Sequence, residues 1–292
     1  MAGAVKVAVL AGGVGGARMA AGLASVVRDP GLLAVIVNTG DDEIFYGLHV
    51  SPDLDTVMYT LAGLVSRETG WGVDGDTDGC LRALARWGEP AWFYLGDQDL
   101  ATHILRTWWL RQGRTLSGVT AELARRLGVT ARILPMSDDP VRTRVTVELE
   151  GAEQELPFQV YFVQHRAALP VRRVRFEGIE RARPAPGVLE ALDEADVVVI
   201  APSNPVVSIA PILALPGVRE SLARRRRRVA VSPLAAGRAF KGPAVEMMQG
   251  LGLRPEAAGV AAFYRGLIDL FVIDPADEAS APEIEAMGVR PV

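Results

Sequence analysis

The chain predicts an α/β fold of the Rossmann-like type, with a mainly parallel sheet, helices on both faces and a small α+β insertion. Three observations carry this reading. Short runs rich in β-branched residues recur at Val5–Leu10, Leu32–Val37, Val197–Ile200, Val229–Val231 and Asp269–Ile273, and they read as strands buried on both faces. Helical patterns stand between them. The first run ends in AGGVGGAR, whose Gly12, Gly13, Gly15 and Gly16 precede a helical pattern over Arg18–Val27. That strand, glycine turn and helix follow the order of anion-binding α/β sites. With 292 residues the chain is long enough to bury a large core. The expectation is one elaborated domain over 1–292, with a helical segment at about 53–128 and a small antiparallel insertion at about 140–180.

Composition narrows the function classes. A net charge of −4 gives no general attraction for nucleic acid, so a phosphate ligand must be held locally. The single cysteine, Cys80, excludes an intrachain disulfide and a cysteine-rich zinc site, and suits a reducing compartment. The first residues lack a basic, cleavable leader pattern, and Arg18 interrupts the early apolar segment. A cytoplasmic protein with no membrane span is therefore expected. The glycine turn lacks a P-loop lysine followed by Ser or Thr, which argues against an ordinary ATPase or GTPase.

In chain order, the second strand delivers NTGDD, Asn38 to Asp42, onto the edge of the sheet that carries the glycine turn. PDLDT follows, with Asp53 and Asp55 ahead of the helical pattern Val57, Leu61, Leu64. Read plainly, these acids are helix caps and turn residues. Four carboxylates beside a phosphate turn also suit Mg²⁺, which takes one or two carboxylates together with phosphate oxygens, so Asp41 and Asp55 are the candidate ligands. Asp74, Asp76 and Asp78 alternate like a calcium loop, but the closing glutamate is missing. In WFYLGDQDLATH a short apolar strand is expected to lead into the Gly96–Asp99 turn, where Asp97 faces the site while Asp99 caps the next helix. His103, alone within that helix, reads as a structural hydrogen bonder, and Trp108 and Trp109 read as core or interface.

The polar turn Ser137–Asp139 precedes the alternating TRVTVEL, and β-like pieces follow at Phe158–Val163 and Val171–Phe176. APSNPVVSI places Ser203 and Asn204 between prolines, a second ligand-facing loop at a strand end. The run Arg224–Arg228 reads as a solvated face. Lys241 in FKGPA is a candidate phosphate or base contact. After Asp274 little is legible.

Together, AGGVGGAR, NTGDD, SPDLDTVMYTLAG, GWG, LGDQDLATH, ILPMSDDPVRT, APSNPVVSI, AVSP, KGPA and GVAAFY resemble the 2-phospho-L-lactate transferases and their phosphoenolpyruvate-using bacterial relatives, which build the deazaflavin coenzyme F-420. The resemblance implies transfer of a phospho-acid group from a guanosine-diphosphate-activated donor to the ribityl hydroxyl of the deazaflavin Fo, releasing GMP. It also implies Mg²⁺ on Asp41 and Asp55, with Asp42 and Asp53 in second rank, and phosphate against Gly12–Gly16. Fo would lie near Asp55, Gly96 and Asp97. Asn38, Ser137, Asp138, Ser203, Asn204 and Lys241 complete the expected substrate contacts, and a homodimer is the expected assembly. Tyr94 and Gln98 stand where the archaeal pattern often carries Arg. A related branch binds nucleotide sugars as a metabolic regulator and is the alternative function. A dinucleotide oxidoreductase fits less well, because the second strand ends in Asn38 and Thr39 rather than an acid placed for ribose.

Overall fold

The computed structural model describes residues 5–292; residues 1–4, which the expected domain span and the reading of the N-terminus include, lie outside it. The strands are β1 (Val7–Ala11), β2 (Leu33–Val37), β3 (Glu43–Phe45), β4 (Leu48–Val50), β5 (Arg132–Pro135), β6 (Arg142–Leu149) and β7 (Ala152–Pro157). They continue with β8 (Val171–Glu177), β9 (Val197–Ile200), β10 (Arg228–Val231), β11 (Leu234–Ala235), β12 (Arg238–Ala239), β13 (Leu270–Val272) and β14 (Arg290–Pro291). Seven of them form one sheet in the order β14-β13-β10-β9-β1-β2-β5, and every neighbouring pair is parallel.

Alternate residues of the central strands enter different cores. Ala8, Leu10, Ile36, Val198 and Ile200 lie in one, and Val7, Val9, Val35, Val37 and Val199 in the other. Burial on both faces is why these strands are unbroken apolar runs rather than alternating ones. Helices α1 (Gly13–Val26), α2 (Pro52–Leu61), α4 (Asp99–Arg111) and α5 (Leu116–Arg126) contribute Ala17, Leu54, Val57, Trp109 and Val119 to the second core. The short helix α3 (Gly79–Arg86) stands between α2 and α4. The helices Val188–Glu194, Ala244–Gly250 and Ala257–Phe263 cover the first core.

The chain runs outward from β1 through β2 to β5, then returns to the other side of β1 with β9. The loops after β1 and β9 therefore diverge and open a crevice at the carboxyl edge. Between β5 and β9, the strands β7-β6-β8 form an antiparallel sheet.

Several elements differ from the sequence expectations. α1 begins at Gly13 rather than Arg18, because the glycines let the helix start against the β9 loop: a Cβ on Gly15 would stand 2.1 Å from the Pro202 carbonyl oxygen. Phe158–Val163 is not β-like; Val160–Gln164 is helical, and Phe158 stacks on Phe162 one turn along, ring centroids 5.5 Å apart. Trp92–Leu95 forms no strand. The sheet gains an edge strand, β14, whose Pro291 sits where a missing N–H costs no interior ladder bond.

Candidate active site

The crevice at the β1/β9 switch widens into a cleft of about 910 Å³. Gly12, Gly13 and Gly15 line it from the β1–α1 turn, Asp41 from the end of β2, Asp53 and Asp55 from the first turn of α2, and Ser203 and Asn204 from the end of β9. Lys241 lies at its rim, with Nζ donating to the Thr69 carbonyl at 3.1 Å. Asp53 and Asp55 are successive-but-one on a helix, so their carboxylates diverge. They build two distinct acidic poles.

The first pole sits at the strand ends. The Asn38 side-chain amide donates to Asp41 Oδ1 at 3.1 Å and to Asp53 Oδ2 at 3.0 Å, while its own oxygen accepts from the Gly40 N–H. The Gly13 N–H, first of the unpaired donors of α1, donates to Asp53 Oδ1 at 2.6 Å. Gln159 Nε2 reaches Asp41 Oδ2 at 3.3 Å. Burial, then the Asp53 and Asp42 carboxylates, push the Asp41 carboxyl well above the usual range. Burial also raises Asp53, to about 6, against the opposing hydrogen bonds from Asn38 and Gly13. Two buried carboxylates sharing one amide donor are an all-oxygen set short of positive charge, which fits a hard divalent cation. Asp42 turns away, its Oδ2 held by Ser51 Oγ at 2.8 Å and His49 Nε2 at 2.9 Å.

The second pole belongs to α2 and α4. Arg106, almost fully buried, pairs with both oxygens of Asp55, through Nη1 to Oδ2 at 3.0 Å and through Nη2 to Oδ1. Such a planar two-point contact fixes the carboxylate's orientation. Asp55, expected as a metal ligand, is thus committed to a guanidinium partner that the sequence reading did not include. Arg106 Nη1 also approaches His103 Nδ1 at 3.4 Å, which makes Nδ1 an acceptor and turns Nε2 toward Asp99 Oδ2 at 3.2 Å. Tyr59 OH donates to Asp99 Oδ1 at 2.6 Å. Asp55, Asp99 and His103 bring one ligating atom each within 4.8 Å of one another, a second cation-sized acidic group.

Other expected contacts serve the fold. Asp97 does not face the cleft: its carboxylate accepts from Thr77 Oγ1 and from the Gly79 and Cys80 N–H groups, capping α3. Asp99, expected as a cap, lines the cleft instead, and its helix is capped by Asp76 through the Gln98 and Asp99 N–H groups. A Cβ on Gly96 would meet that Asp76 carboxylate at 2.0 Å, so Gly96 is a packing glycine. Asp138 holds Ser117 N and Oγ at the start of α5, and Ser137 Oγ donates to the Arg183 carbonyl. Asn204 caps the turn that begins at Pro205. Gly16 packs behind the cleft, where a Cβ would stand 2.9 Å from Ala11 Cβ and Ser203 Oγ. Ser203 Oγ itself accepts from the Gly12 N–H at 3.1 Å.

Sequence reasoning missed Arg106, Tyr59, Gln159 and the roles of Asp99 and His103. A signal existed in DLATHILR, where Asp99, His103 and Arg106 recur at i, i+4 and i+7, a charged stripe on a helix whose other residues are largely apolar. The same cleft is also lined by the aromatic side chains of Trp71, Trp92, Phe93, Tyr94, Phe158 and Phe162.

Comparisons with known proteins agree with this architecture. A phosphoenolpyruvate transferase of Streptomyces griseus is 46% identical over 289 residues, covering 98% of this chain and 91% of that protein. Similarly named proteins of Thermobifida fusca and Mycolicibacterium smegmatis are 42% and 39% identical, covering 97% and 99% of this chain and 91% and 92% of theirs. Among solved structures, a UPF0052-family protein of Bacillus halodurans matches with a TM-score of 0.62 at 17% identity, covering 100% of this chain and 93% of that one, a likeness of fold. Residues 7–289 match the model of the family described as 2-phospho-L-lactate transferase CofD. The chain belongs to that family.

Proposed function

We propose that this protein is a transferase of coenzyme F-420 biosynthesis that moves enolpyruvyl phosphate from a guanosine-diphosphate-linked donor to the ribityl hydroxyl of Fo, releasing GMP. The observation that carries the reading is the meeting, in one crevice, of the α1 N-terminus, the Asp41–Asp53 pair and an aromatic wall. The first suits a diphosphate, the second a Mg²⁺ ion and the third a flat deazaflavin. The names of these relatives favour enolpyruvate over lactate as the donor acid.

In the proposed reaction the ribityl oxygen forms a bond to the phosphorus bearing the acid, the bond from that phosphorus to GMP breaks, and the hydroxyl proton passes to the Asp55 carboxylate and from there to solvent. Asp41 would hold the ion, with Asp53 beside it. Mg²⁺ there would offset charge on the transferred phosphoryl group. Asp55, oriented by Arg106, is assigned to the acceptor hydroxyl, and Arg106 keeps that carboxylate from rotating away. Asp99, held by Tyr59 and with His103 Nε2 close by, lines the same side. Fo covering the aromatic side chains would keep water, which competes with the hydroxyl, from the transferred group.

The reading also takes the protein as a cytoplasmic homodimer. Among the described residues no helix is long and apolar enough to cross a membrane. Exposed Ile104 and Trp108, one turn apart on α4, support self-association. Titrating Fo while following its fluorescence tests the acceptor assignment: saturable binding is expected. Absence of any saturable change, together with tight binding of a nucleotide sugar, would favour a regulator instead.

A further inference from the structure

The N-terminus of a helix is a place where an anion is held by unpaired N–H groups, and in this protein that place is already taken by an anion of the protein itself. Asp53 Oδ1 accepts from Gly13 N–H at 2.6 Å, and its other oxygen is fixed by Asn38 at 3.0 Å. The carboxylate does not cap its own helix: the N-cap position of α2 is Ser51, which makes no side-chain capping bond. It reaches across to α1. Gly12 is what admits it, since a Cβ there would stand 2.4 Å from Asp53 Oδ2. Asp41, held by the same amide, adds a second negative group; the cationic side chains lining the cleft, Arg18 and Lys241, make no hydrogen bond to either acid, and the Arg142 charge only partly offsets the burial and neighbouring carboxylates that raise Asp41. A diphosphate approaching the β1–α1 turn therefore meets like charge before it meets a free donor.

We propose that Asp53 makes binding of a nucleoside diphosphate at the α1 N-terminus conditional on a divalent cation. The inference rests on the donor reading above and assigns to Asp53 a role beyond it. Without a cation the carboxylate occupies the Gly13 N–H and repels the ligand. With one, its charge is offset and the diphosphate is accepted, so the site discriminates against the metal-free nucleotide.

Calorimetric titration of GDP into the full chain, in Mg²⁺ and in chelator, tests this with the wild type, Asp53→Ala and Asp53→Asn. Ala vacates the Gly13 N–H and removes the charge, whereas Asn removes the charge and keeps an acceptor. The wild type is expected to bind GDP in Mg²⁺ and weakly in chelator. Asp53→Ala is expected to bind GDP in chelator on the order of 10-fold more tightly than the wild type, the scale of one partly screened charge pair, with Asp53→Asn between them. Loss of a metal ligand alone would not raise affinity in chelator, so that readout separates the two roles. If the wild type binds GDP in Mg²⁺ while both variants stay as weak as the wild type in chelator, the inference is overturned and the donor reading stands. If the wild type binds no GDP in either condition, the donor reading falls and takes the inference with it.

Discussion

The buried Asp41–Asp53 pair gives stability an unusual pH dependence. Asp53 titrates at about 6 in the folded chain against an ordinary 3.8, so the folded state holds this proton more tightly than the unfolded state does. Stability from that proton is fully present below the ordinary value and is lost as pH rises through about 6. The whole difference is worth about 3 kcal/mol, of which roughly half is lost between pH 5 and 7.5. Asp41, raised in the same direction partly by Asp53, adds to this. Other carboxylates also titrate, so the assay is a difference: thermal melting of the wild type against Asp53→Ala at both pH values, in chelator. Relative to the wild type, the variant should gain roughly 2–3 °C on going from pH 5 to 7.5. Mg²⁺ should shrink that gain. A difference in melting temperature that does not change with pH would refute the argument that these carboxylates are stacked in a site short of positive charge.

The remaining predictions concern the scaffold and the two poles. Gly15→Ala should lower stability by about 1–3 kcal/mol or more, because its Cβ would meet the backbone oxygen of Pro202 at 2.1 Å, and chemical denaturation reads this directly. Gly13→Ala should cost only about 1–2 kcal/mol, from its φ of +61°, since its Cβ would meet Asp53 Oδ1 only at an ordinary contact distance of 3.8 Å. Arg106→Leu strands Asp55 without its partner in a buried setting and should cost about 3–5 kcal/mol. Arg106→Lys, which keeps charge but not the two-point contact, should cost less in stability while turnover still falls. Asp41→Asn should reduce turnover on the order of 10²-fold without loss of folding, and a steady-state assay across Mg²⁺ concentrations checks it.

Much of the sheet was legible because burial on both faces leaves a direct mark on sequence. Val197–Ile200 was read with its observed bounds, and β2 within one residue. What failed was where local pattern and tertiary context part. Phe158–Val163 looks β-like in composition, yet Pro157 ends the strand and the two phenylalanines stack one turn apart toward the cleft. β14 has two residues, one of them proline, and exists only because β13 offers an edge. In the site, Gly12, Gly13, Gly15, Asp41, Ser203 and Asn204 gather as their strand-end positions required, because a parallel sheet collects those loops on one edge, and Asp53 and Asp55 join them from the first turn of α2. Asp97 and Asp99 exchanged their expected places. Two acids two residues apart at a helix start give no local clue as to which one caps and which one faces a cleft, and only the distant N–H groups of Gly79 and Cys80 decide it. Arg106 was hidden for a related reason. A buried cation is costly unless paired, and its partner Asp55 lies 51 positions away.

The account turns on the identity of the reaction, which mass spectrometry of the products tests most directly. The chain would be incubated with Fo, Mg²⁺ and guanosine-diphosphate-linked enolpyruvate, and in parallel with the lactate-linked and glycerate-linked donors. The account predicts release of GMP and appearance of Fo carrying the phospho-acid group, fastest with the enolpyruvyl donor and abolished by chelator. Unchanged Fo with all three donors, from a folded protein in Mg²⁺, would contradict it.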